Sequence, residues 1–182
     1  MKKFHVPTKN EVNSDNQIIF DHYEKNIGFM PNSLAIYAHS ENALKNYLNF
    51  NNAKTSLNDQ EKEAVNLVVS QVNHSHHCVS VHTFVGRLIG FTDAQMLELR
   101  KGKASFDPKI DALVKLAKDI TAHRGNSRPE ILENFFKAGW TKENLIDAIS
   151  LVGDKTIANY MNSTIPSEID FPVAPRLEED NL

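Results

Sequence analysis

Apolar residues along this chain recur at intervals of three and four, the period that sets them on one face of a helix. From Ser14, Ile18, Ile19, Tyr23 and Ile27 keep that spacing until Gly28 stops it. Pro31 reads as the first helical residue of a short segment, and Ser40 caps a following helix with a stripe of Leu44, Tyr47, Leu48 and Ala53. Ala64 to Val72 is apolar nearly all round, which predicts a helix buried in a core or in a subunit interface. Asn73 to Ser75 breaks it, and a second helix runs from about Ser75 to Leu88, closed by Gly90. Thr92 with Gln95 forms a capping box, Asp107-Pro108 starts a helix striped by Ile110, Leu113, Val114, Ala117 and Ile120, and Pro129 opens another. Thr141 caps a last long helix reaching Asn162, after which Pro166, Pro172 and Pro175 mark an irregular tail. No hairpin signal and no glycine-rich phosphate loop interrupt the series, so the chain reads as all-α.

Composition narrows the function classes. The 182 residues suit one well-buried core, and the 41% hydrophobic and 24% charged fractions are those of a globular protein that needs no membrane. A net charge of -3 without a Lys/Arg stripe argues against nucleic acid as a partner. The start, MKKFHVPTKNE, lacks the apolar core of a signal peptide, and no run approaches a membrane span. A lone cysteine, Cys78, rules out an internal disulfide framework. The expected location is the cytoplasm.

The chemistry concentrates between Asp59 and Phe91, which holds four of the eight histidines and the cysteine. On a helix starting near Ser75, the side chains of Ser75, Cys78 and His82 share a face. Cys78 falls in the first turn, where unpaired N–H groups and the helix dipole favour a thiolate. His82 is placed to take the thiol proton, and Glu63 on the preceding helix to complete a proton relay. A thiolate with an acid/base pair is suited to attack a peroxide oxygen. Blander roles exist for each: an inert core thiol, an interior histidine, a surface carboxylate, and for Ser75 a helix N-cap. His74 and His76 read as surface residues, and Trp140 with Phe135 and Phe136 as packing. Cys78, His82 and Glu63 also resemble a metal-ligand set, although the thiol reading calls for no metal and no other cofactor.

The segment Glu63-x11-Ser75-x-His77-Cys78-x3-His82 resembles the signature of the alkyl hydroperoxidase D and carboxymuconolactone decarboxylase superfamily, Glu-x11-Cys-x-His-Cys-x3-His. The neighbouring words EAVNLVVSQVN and HTFVGRLIGFT are similar to those of its peroxidase-related branch. The resemblance implies a single all-α domain over residues 1–182, with an N-terminal arm at 1–13 and a tail at 166–182. It implies assembly as a homo-oligomer, a trimer or hexamer. It makes Cys78 the redox thiol, His82 and Glu63 its relay, and His77 the histidine inside the motif.

The first motif cysteine is Ser75 here, and a hydroxyl cannot close a dithiol–disulfide cycle. Three explanations stand side by side: an engineered replacement, a natural one-cysteine form served by an external thiol, or a site without turnover. The expected activity is that of an antioxidant peroxidase acting on a hydroperoxide, with an external thiol as reductant. The alternatives are an acid/base enzyme of the carboxymuconolactone decarboxylase type, and a non-catalytic oligomeric binding protein of the same fold.

Overall fold

One helix, α4 (Asp59–Val72), carries the densest burial in the chain. Asn58 caps it through a reciprocal box with Glu61, and Glu63 to Ser70 are buried without a break. Val65, Leu67, Val68 and Val69 have no exposed surface, and each contributes about 1.5–3 kcal/mol relative to an exposed position. The cover comes from the same chain: α4 packs on α5 (His76–Leu88), α6 (Asp93–Arg100), α7 (Pro108–Ala122) and α9 (Lys142–Thr164). The all-round apolar pattern is therefore satisfied by a core inside one chain. The computed structural model describes residues 4–177, and these contain only helices, turns and extended segments, with no strand. No helix among them is long and apolar enough to cross a membrane.

The remaining elements follow local signals. Preceding α4 are α1 (Ser14–Ile27), the short α2 (Asn32–Ala35) that continues as a 3-10 turn over Ile36–His39, and α3 (Ala43–Asn51). Between α7 and α9 lies α8 (Pro129–Lys137). Thr92, Asp107 and Thr141 cap α6, α7 and α9 with their side chains. Gly86 on α5 sits so close to Met96 that a Cβ there would lie 2.7 Å from its sulfur, which lets α5 and α6 pack closely.

Some expectations shift. Pro31 is the residue before α2, with ψ 130, because the chain enters the helix one position later. Ser40 Oγ accepts from the Ala43 amide at 3.3 Å, but Ala53 lies beyond α3 and is exposed. The arm contains a 3-10 turn at Lys9–Glu11, and α9 continues to Thr164. Two apolar cores result. The larger surrounds α4, while a smaller one joins Phe20, Tyr37, Leu44 and Tyr47 to Cys78 and Ala158.

Candidate active site

The break between α4 and α5 brings a carboxylate and an imidazole together. Asn73 ends α4, His74 turns the chain at φ 54, and Ser75 occupies the N-cap of α5. The two helices then run side by side, and His82 Nδ1 meets Glu63 Oε1 at 2.6 Å. The other Glu63 oxygen accepts from Asn66 Nδ2 at 3.2 Å. Burial holds the His82 imidazole below its ordinary pKa and Lys155 adds to the effect, against the opposing pull of Glu63. Nδ1–H then donates to the carboxylate, and Nε2 is left as the basic nitrogen.

Cys78 lies one turn before His82 and is 4% exposed. Asn162 Nδ2, from α9, points at its sulfur at 3.8 Å. Ser75 makes no side-chain capping bond, so the first-turn N–H groups near Cys78 have no side-chain acceptor from the cap.

Cys78, His82 and Glu63 all line one cavity of about 290 Å³. Beyond α4 and α5, its walls come from four parts of the chain. Leu34 and Tyr37 enter from α2 and its 3-10 extension, Tyr47 and Asn51 from α3, Lys155 and Asn162 from α9, and Phe171 from the tail. Tyr37 and Tyr47 stack with centroids 4.5 Å apart, and burial pushes both phenols well above their usual pKa. They are therefore neutral walls at any ordinary pH. Among the described residues, no three His, Cys, Asp or Glu side chains converge as ligands for a metal ion.

Ser75 and His77 lie outside this cavity. Ser75 is buried, and its hydroxyl has no hydrogen-bond partner among the described residues. His77 turns toward the tail, its Nε2 3.9 Å from Asp170 Oδ1. Burial lowers its pKa against the attraction of Asp170. Trp140 does not line the cavity and is stacked on Phe135 in the larger core.

Residues 39–119 match the model described as "Carboxymuconolactone decarboxylase family". The matched stretch takes in α4 and α5 and with them Glu63, Cys78 and His82. No curated protein matches it by sequence. Among solved structures, an uncharacterized peroxidase-related protein from Silicibacter sp. TM1040 aligns with TM-score 0.79 at 18% identity, over 92% of this chain and 94% of that one. The alkylhydroperoxidase AhpD core protein from Ralstonia eutropha JMP134, also described as peroxidase-related, aligns with TM-score 0.80 at 18% identity, over 98% and 93%. The debrominase Bmp8 aligns with TM-score 0.72 at 14% identity, over 86% and 87%. A cysteine-to-alanine variant of that debrominase, in complex with 2,3,4-tribromopyrrole, shares the same fold.

The superfamily motif led to α4 and α5 and left α9 aside. A signal for α9 was nevertheless present. Glu63-x6-Ser70-x-Val72 is echoed by Glu143-x6-Ser150-x-Val152, 80 residues on. The same offset carries Ser75, Cys78 and His82 onto Lys155, Ala158 and Asn162, and all three of those α9 residues line the cavity. The later copy lacks a thiol and still supplies polar groups to the site.

Proposed function

We propose that this protein is a thiol-dependent peroxidase that reduces hydroperoxides through Cys78. One observation carries the reading: the only cysteine and a joined His82–Glu63 pair face the same cavity. His82 Nε2 takes the thiol proton, and the thiolate attacks the terminal oxygen of the hydroperoxide. An S–O bond forms as the O–O bond breaks, and His82 returns the proton to the departing alkoxide. Cys78 becomes a sulfenic acid while the peroxide becomes an alcohol. One external thiol then condenses with the sulfenic acid and releases water. A second resolves the mixed disulfide and restores Cys78. Ser75 has no sulfur to give, so both reducing thiols come from outside the site.

The deciding experiment is hydroperoxide consumption with an added thiol, comparing the protein with Cys78→Ser and Ser75→Cys. Turnover by the protein as it stands, lost in Cys78→Ser, supports a one-cysteine peroxidase. Activity in Ser75→Cys alone assigns position 75 to a dithiol site that this chain lacks. No consumption by any of the three removes the peroxidase reading. A second reading, acid/base chemistry by His82 and Glu63 alone, is favoured by the completeness of that pair without the thiol. A reaction that survives Cys78→Ala selects it.

A further inference from the structure

The cavity contains a cation with no counter-charge in contact. Lys155 is 5% exposed and lines the cavity beside the relay. The neighbouring carboxylates have other partners: Glu63 is joined to His82 and Asn66, and Asp154 Oδ2 accepts from Asn51 Nδ2 at 2.9 Å, while Asp154 Oδ1 has no hydrogen-bond partner among the described residues and makes no ion pair with Lys155. The Lys155 side chain forms no ion pair or hydrogen bond with any described residue. Its positive charge reaches the relay all the same, since it opposes protonation of His82. The Lys155 side chain opens on the cavity, and an arriving anion would supply the partner it lacks.

We infer that the substrate of this cavity is a small monocarboxylate with an apolar body, and that Lys155 binds its carboxylate. The surroundings match such a molecule. Tyr37, Tyr47, Leu34, Val81 and Phe171 offer apolar walls, and the volume of about 290 Å³ sits at the lower end of ligand pockets. A single cation suits a single negative charge; a phosphate dianion would carry excess charge toward Glu63. The inference rests on the proposed thiol chemistry for what reacts at Cys78, so the substrate class becomes a hydroperoxide bearing a carboxylate. Recognition by Lys155 is a separate matter from that reaction.

The experiment exploits the single cysteine, because alkylation of the intact chain by neutral iodoacetamide reads Cys78 alone. Benzoate and its neutral counterpart benzamide are titrated as protecting ligands, and each variant is compared with its own unligated rate. Benzoate is expected to slow alkylation where benzamide does not. Lys155→Met should require about thirtyfold more benzoate or beyond, and Lys155→Arg should retain protection. Equal protection by benzamide, or undiminished protection in a folded Lys155→Met, overturns the inference. Alkylation needs no turnover, so benzoate protection in a chain that reduces no peroxide keeps the anion site and removes only the peroxidase reading. Peroxide turnover without carboxylate protection does the reverse.

Discussion

At the scale of single residues, His82 is where opposing forces meet. Burial and Lys155 disfavour its proton, whereas Glu63, 2.6 Å away, favours it. Burial prevails, so the imidazole remains a base to pH values below the ordinary 6.5. The acidic limb of the rate of Cys78 oxidation is therefore expected below pH 6.5, read from the pH dependence of sulfenate trapping. Glu63→Gln removes the influence that raises the pKa and moves that limb to lower pH; Lys155→Met removes one that lowers it and moves the limb up. A limb unmoved by either substitution would separate His82 from the proton transfer. His82→Asn, which keeps a polar side chain but no titrating base, should slow the reaction by about 10²–10⁴-fold, measured with saturating thiol. A loss well below that range would mean that the thiol ionises without this histidine.

At the scale of elements, the tail behaves as part of the site. Asp170 Oδ2 accepts from the Asn32 amide at 2.6 Å, Ala174 N donates to Ser80 Oγ at 3.1 Å, and Arg100 Nη1 donates to the Pro175 carbonyl at 2.8 Å. Phe171 is held between Phe29 and Phe84, with centroids 5.5 and 5.6 Å away, and closes one wall of the cavity. Ending the chain after Ile165 should lower the melting temperature and speed Cys78 alkylation by opening that wall; an unchanged alkylation rate would show that the tail does not shield the thiol. The tail also faces His77, which is packed against Asp170 and next to His76. Because burial lowers the folded pKa of His77, the unfolded chain takes the proton first as the pH falls below 6.5. Stability contributed by neutral His77 is thus complete above that value and lost on acidification. Urea denaturation between pH 7.5 and 5.5 should show a shallower decline in His77→Gln, with the residual slope from His82, which carries the same sign. None of this tail packing was legible in the sequence, where three prolines signal only irregular backbone. The caps at Thr92, Asp107 and Thr141 were legible because each acts within its own first turn. Lys155 was marked only by the 80-residue echo of the motif: its burial arises from how α9 packs on α4 and α5, and nothing local distinguishes it from a surface lysine.

At the scale of the whole molecule, α9 has two working faces. One turns Lys155, Ala158 and Asn162 into the cavity. On the opposite side, Ile146 and Tyr160 are each 62% exposed, and Ile149, Gly153 and Ile157 lie between them along one stripe. At 1.5 Å per residue that stripe is about 21 Å long, and Gly153 at its middle has open space where a side chain would stand. Four large apolar side chains on one side of a helix are more than scattered surface hydrophobics require. A second copy of the chain is the occupant to test here, since a two-fold pairing would set Gly153, with its open space, against its own counterpart. Ile149→Asp with Ile157→Asp should then reduce the mass measured by light scattering after gel filtration, while the melting temperature of the isolated chain changes little, because both side chains are already exposed. A chain that is monomeric before substitution, or an assembly that withstands both aspartates, would assign the stripe no role in self-association. Because α9 also carries Lys155, loss of the assembly together with loss of benzoate protection would mean that pairing of the outer face holds the inner face in place.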